Sequence, residues 1–270
     1  MNRNAPLGVF DSGLGGLTVA RALRNAMPNE HIIYLGDTAR VPYGTKGAAT
    51  VIRYAIGCAK HLVERGVKAI VIACNTVSAV APERLRVEFD LPVLSVIEPG
   101  ARAAVEASVT GRIGVLATTG TVAAGAYARA VQQYSTRAEV TSLAAPLLVP
   151  LAEEGWVFGE VPNLIIDRYL LPLRDAHVDT LVLGCTHYPL LRPAIEERAK
   201  LLLGQSVKVI DSAQSAAADV ATFLRDRDMQ SNRTDPGRLE LLVTDLPATF
   251  SMIASRFLGE DVPTAKQINL

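Results

Sequence analysis

Ile70-Val71-Ile72-Ala73-Cys74-Asn75-Thr76 decides how this chain reads, because a counterpart follows at Leu181-Val182-Leu183-Gly184-Cys185-Thr186-His187. Each stretch is a short apolar run of strand character. It stops on a small residue, then presents a cysteine, a threonine and a second polar side chain. The two cysteines lie 111 residues apart, from 74 to 185. Other strand ends repeat at nearly the same interval. Asp11 matches Thr118 at an offset of 107, and Glu98 matches Asp211 at 113. A duplicated unit with slightly lengthened loops accounts for that drift.

Outward from these stretches, strands alternate with amphipathic segments. Leu7 to Phe10 reads as a strand ending at Asp11-Ser12-Gly13, and a helical pattern from Leu14 to Met27 is stopped by Pro28. Ile32 to Leu35 is the next strand. A polar loop with Pro42-Tyr43-Gly44 then leads to a helix over Ala48–Glu64, closed by Gly66. Val93 to Ile97 reads as a strand ending at Glu98-Pro99. In the second half, strands over Ile113–Leu116, Val140–Leu143, Leu181–Leu183 and Val207–Ile210 end at Thr118, Ala145-Pro146, Cys185 and Asp211. Gln230 to Gly237 reads as a loop before a closing β/α segment. The expected fold class is α/β, with two pseudo-symmetric halves, mainly parallel sheets and helices covering them. Ligands of such sheets bind beyond the carboxyl ends of the strands, so the site is expected between the halves.

Composition narrows the partners. The chain has 270 residues, 49% of them hydrophobic, and 27 basic residues balance 27 acidic ones. No basic cluster predicts a nucleic-acid or anionic-membrane surface, and no run approaches the ~20 apolar residues of a membrane span. The first apolar run is broken at Asp11, so no signal peptide is expected. A cytoplasmic protein with a small charged ligand is the expectation, and its three cysteines are expected to be reduced.

Cys58 sits inside the apolar pattern of Ile52, Ile56, Ala59 and Leu62 and reads as a core residue. Cys74 and Cys185 each end a strand, before the expected first turn of a helix whose dipole would favour a thiolate. A redox pair lacks Cys-x-x-Cys spacing, a zinc site lacks ligands among the scattered histidines, and acyl transfer needs only one thiol. Two thiols facing each other across a ligand can take a proton from one face of a carbon and return one to the other. Hydroxyls of Ser12, Thr76, Thr118 and Thr186 can hold a carboxylate beside them. Asp11 and His187 occupy matching positions as partners that tune the thiols. No lysine marks a pyridoxal phosphate site, so no cofactor and no metal are expected.

Asp11-Ser12-Gly13-Leu14-Gly15-Gly16, Gly36-Asp37-Thr38-Ala39-Arg40-Val41-Pro42-Tyr43-Gly44, Ala73-Cys74-Asn75-Thr76 and Gly184-Cys185-Thr186-His187-Tyr188-Pro189-Leu190 closely resemble glutamate racemases, over about Leu7 to Asp211. The resemblance implies a cofactor-independent enzyme that interconverts L- and D-glutamate and supplies D-glutamate for peptidoglycan. It implies that Cys74 serves the D-glutamate side and Cys185 the L-glutamate side, with Asp11, Asp37, Glu153 and His187 as auxiliary acid/base residues. Substrate contacts are implied for Asp11, Ser12, Pro42, Tyr43, Gly44, Asn75, Thr76, Thr118, Thr121, Thr186 and His187. The implied domains are 1–98 with 208–270, and 99–207; a homodimer is the expected assembly.

Two positions depart from the common pattern. Ala117-Thr118 stands where many relatives have Gly-Thr, and Ala145-Pro146 where many have Cys-Pro. Two rival readings keep the thiols or discard the chemistry: a racemase or decarboxylase for aspartate or another acid, and a non-catalytic amino-acid-binding or regulatory module. Deuterium exchange at the substrate Cα separates a binder from an enzyme.

Overall fold

The computed structural model describes residues 2–270. The first half runs β1 (Leu7–Asp11), α1 (Leu17–Ala26), β2 (Ile32–Gly36), α2 (Ala48–Glu64), β3 (Ala69–Ile72), α3 (Asn75–Ser78), α4 (Pro82–Glu88), β4 (Val93–Ser95) and α5 (Ile97–Ala107). The second runs β5 (Arg112–Ala117), α6 (Thr119–Ala123), α7 (Ala126–Tyr134), β6 (Glu139–Ala144), α8 (Leu148–Glu154), α9 (Glu160–Asp175), β7 (Thr180–Gly184), a 3-10 turn at Tyr188–Leu191, α10 (Arg192–Leu203), β8 (Lys208–Asp211) and α11 (Ser212–Asp226). The chain closes with β9 (Leu239–Val243), α12 (Phe250–Leu258) and β10 (Ala265–Gln267).

Two sheets result, one of six strands in the order β10-β9-β2-β1-β3-β4 and one of four in the order β6-β5-β7-β8. Every strand pairing within each sheet is parallel. The order β2-β1-β3-β4 therefore recurs as β6-β5-β7-β8, the topological form of the repeat seen in the sequence. Central strands covered by helices on both faces must be apolar throughout. β1, β3 and β7 are accordingly buried at every position. Edge strand β6, Glu139-Val140-Thr141-Ser142-Leu143-Ala144, is only partly buried and correspondingly mixed.

Three expectations need correction. Val93–Ile97 is a strand only to Ser95, and Ile97 opens α5, where Pro99 falls within the first turn and needs no N–H partner. The segment 208–211, expected with the first domain, is β8 of the second sheet, in register with β7 from Thr180↔Lys208 to Leu183↔Asp211. The return to the first half thus begins at α11, whose apolar face packs on α1 and α5. Finally, α3 is a single turn, and the 3-10 turn starts three residues after Cys185. Neither thiol lies at the end of a long helix, so a strong dipole is absent there.

Candidate active site

The loops following β1, β2, β3, β5, β6 and β7 converge on a cavity of about 330 Å³ between the two sheets. Cys74 and Cys185 both line it, one from each sheet, together with Ser12, Pro42, Tyr43, Gly44, Asn75, Thr76, Thr118, Glu153, Thr186 and His187. Both cysteines are free and buried.

On the first wall, Cys74 Sγ donates to Ser12 Oγ at 3.4 Å. Burial pushes the Cys74 thiol up to about 12; the Asp11 charge adds to this, and the Ser12 hydroxyl and Val77 N–H oppose it. The thiolate expected from a helix dipole is therefore not favoured at this thiol, because one helical turn cannot offset desolvation. Asp11 lies just behind the cavity: its Oδ2 accepts from Gly13 N (3.2 Å) and Gly16 N (2.9 Å), while buried Oδ1 has no partner.

On the second wall, His187 stands between sulfur and carboxylate. Its Nδ1 lies 3.8 Å from Cys185 Sγ and its Nε2 lies 3.0 Å from Glu153 Oε1. Burial alone would lower the imidazole, but hydrogen bonds and charge from Cys185 and Glu153 prevail and hold it at about 10. The ring packs edge-on against Phe257 of α12 at 5.0 Å. Gly15 supports the pair from the first half. A Cβ there would sit 2.4 Å from Thr186 Oγ1 and 2.5 Å from His187, so only glycine lets the β1–α1 turn pass.

Three hydroxyls join the walls. Thr76 Oγ1 and Thr118 Oγ1 are 2.9 Å apart, Thr118 and Thr121 are 2.9 Å apart, and Thr121 Oγ1 donates to Thr76 at 3.4 Å. Thr118 also caps α6, accepting from Thr121 N. Thr121 thus stands behind the lining. Asp37 also stays outside it: the carboxylate accepts from Arg40 Nε (2.9 Å), Thr244 Oγ1 (2.8 Å) and the Tyr43 hydroxyl. Its geometry is that of an anchor for the Tyr43 loop. Among the described residues no cluster of three or more histidine, cysteine or acidic side chains is arranged to hold a metal ion.

A family model described as Asp/Glu/Hydantoin racemase matches residues 17–220. The chain belongs to this racemase family. A glutamate racemase of Geobacter metallireducens is 48% identical over 264 residues, covering 98% of this chain and 96% of the relative. Among solved structures, the Francisella tularensis glutamate racemase in complex with D-glutamate superposes with a TM-score of 0.90 at 37% identity, covering 99% of this chain and 98% of that one. A Bacillus anthracis glutamate racemase isoform gives 0.92 at 34% identity, covering 100% and 99%. The two parallel sheets are those of this racemase family.

Racemase family membership does not by itself reveal the whole lining. Val41, Thr45, Thr119, Pro146, Val149 and Pro150 complete the cavity and carry no chemical signature in the sequence. Phe257 and Arg256 were equally hidden, although Arg256 Nη1 donates to the Glu153 carbonyl and so ties α12 to α8. Their only signal is position in the closing β/α segment, which passes back over the second half.

Proposed function

We propose that this racemase acts on glutamate, interconverting the L and D forms without a cofactor, with Cys74 and Cys185 as the two bases. The observation that supports this most strongly is the presence of one buried thiol from each sheet on a single cavity. In the L-to-D direction the Cα–H bond breaks as its proton passes to Cys185 Sγ. The electron pair is held as an enediolate, and Cys74 Sγ–H breaks to give Cα its proton on the other face. The reverse reaction uses the same atoms in the opposite order.

Each neighbour has a part in that reading. At neutral pH Cys74 is a thiol, as the acid of the L-to-D direction must be, and protonated His187 beside Cys185 offers the cation that an anionic sulfur needs. Glu153 holds that imidazolium. The hydroxyls of Thr76 and Thr118 with the Asn75 amide receive the α-carboxylate, where enediolate charge grows. Ser12 and the Tyr43-Gly44 segment line the same cavity and offer polar groups to the far carboxylate. Asp11 acts on Cys74 in the opposite sense, its charge helping to keep the proton on that thiol.

The test is proton NMR of L-glutamate in D2O with the wild type and with Cys74→Ala and Cys185→Ala. The wild type is expected to racemise it with deuterium entering Cα, and each variant to lose at least about 10³-fold in racemisation. Full racemisation by either variant would remove the two-thiol mechanism. Turnover of aspartate with glutamate left untouched would move the substrate to the rival acid.

The same reading has the enzyme supply D-glutamate for peptidoglycan in the cytoplasm, where three free cysteines persist. No helix among the described residues is long and apolar enough to cross a membrane. For the assembly we propose a homodimer through the outer face of α9, where Val161, Leu164 and Leu171 are exposed beside Trp156 and Phe158. Antiparallel apposition of two copies about Leu164 sets Glu160 against Arg168 of the partner subunit, since these residues lie four positions either side. Leu164→Glu is expected to give a monomer by sedimentation equilibrium; an unchanged mass would remove this interface.

A further inference from the structure

Tyr127 of α7 is completely enclosed, lies outside the cavity lining, and touches the neighbours of both thiols. Its hydroxyl donates to Asn75 Oδ1 at 2.7 Å, next to Cys74 in the first half. Its ring lies on Gly184, next to Cys185 in the second: a Cβ at Gly184 would meet Tyr127 Cε2 at 2.9 Å. The hydroxyl also lies 3.5 Å from where a Cβ of Gly100 would stand, so small residues leave the ring its slot. Burial pushes the phenol up, which keeps it a neutral donor at any working pH.

The consequence lies at Asn75. An amide side chain has an acceptor end and a donor end. The acceptor is taken by Tyr127, and the donor, Nδ2, is buried without a protein partner in a side chain that lines the cavity. A buried N–H2 left unpaired is costly unless something accepts from it. Without the Tyr127 hydroxyl, the amide could turn over and present its oxygen to a carboxylate instead.

We propose that Tyr127 is a positioning residue that fixes the Asn75 amide with its N–H2 toward the substrate carboxylate. This inference rests on the glutamate reading above. It adds a residue that no loop motif marks, reaching the site from the second half.

Tyr127→Phe keeps the ring against Gly184 and removes only the hydroxyl. It is expected to raise KM for both enantiomers about tenfold with kcat within about twofold. Because the enantiomers are equal in free energy, kcat/KM must fall equally in the two directions. Asn75→Ala is expected to show the same KM defect. Adding Tyr127→Phe to Asn75→Ala is expected to cost less than about twofold more. Asn75→Asp, which still accepts from Tyr127 but has no N–H2, is expected to bind glutamate no better than Asn75→Ala.

A readout independent of turnover is the Asn75 side-chain amide pair in a 15N–1H spectrum, assigned by its loss in Asn75→Ala. These resonances are expected to shift or broaden in Tyr127→Phe. A wild-type KM in Tyr127→Phe, a full additional loss in the Asn75→Ala background, wild-type binding by Asn75→Asp, or unmoved Asn75 resonances would each overturn the inference. Should the wild type leave glutamate untouched, the activity reading falls, and the amide resonances still decide whether Tyr127 orients Asn75.

Discussion

His187 shows how two neighbours can outweigh burial. With its imidazole held at about 10 rather than 6.5, the folded state binds this proton more tightly than the unfolded chain. The resulting stabilisation is complete below pH ~6.5 and is lost as pH rises toward ~10, because only over that window does folding carry the extra proton. Chemical denaturation at pH 7 and pH 9.5 is expected to show that decline in the wild type and a smaller one in His187→Asn. Glu153→Gln removes one supporting partner, so the alkaline limb of the pH–kcat profile is expected to move to lower pH. Thiols, threonines and His187 were legible in the sequence because each reactive group stood at a strand end. Asp37 was legible as a polar loop residue, yet its partners Arg40, Tyr43 and Thr244 are tertiary contacts that no local pattern reveals. Asp37→Asn is therefore expected to raise KM by loosening the Tyr43 loop while leaving the pH profile in place.

At the level of elements, the strands were readable because parallel strands buried on both faces are largely apolar, as β3 is throughout and β1 is up to Asp11. Helix starts were less so. Ile97 continues the apolar run of β4, and nothing in Val96-Ile97 announces that Ser95 ends the strand while Ile97 begins α5. The one-turn length of α3 was hidden for the same reason, since Asn75 to Ser78 passes directly into the packed Val80-Ala81 segment. The β1–α1 turn makes the tightest demand. Gly15→Ala places a methyl group against Thr186 and His187, so it is expected to lower kcat/KM at least about tenfold. Racemisation kinetics beside far-ultraviolet circular dichroism would check this, with secondary structure expected to stay unchanged because the turn itself faces no helix interior.

For the whole molecule, a buried ion pair ties distant parts of the chain. Lys68 Nζ donates to Glu30 Oε2 (2.6 Å), the Arg3 carbonyl (2.7 Å) and the Met229 carbonyl (2.8 Å), and Glu30 Oε1 accepts from Ser231 N (2.7 Å). The approach to β1, the connection between α1 and β2, the start of β3 and the segment after α11 thus meet at one ammonium group. Lys68→Met leaves Glu30 buried and unpaired, and is expected to cost about 3–5 kcal/mol in urea unfolding without altering KM below the melting range. Sequence reading had no access to this knot, because Lys68 reads as an ordinary charge ahead of a strand. The recurrence of the strand order β2-β1-β3-β4 in the second sheet has a stereochemical consequence of its own. A chain of L-amino acids cannot build a mirror plane, yet the reaction passes through a flat carbon that has lost its handedness. A rotation relating the two units would set like groups on opposite faces of that plane, which is as near to reflection as a protein's own chirality allows.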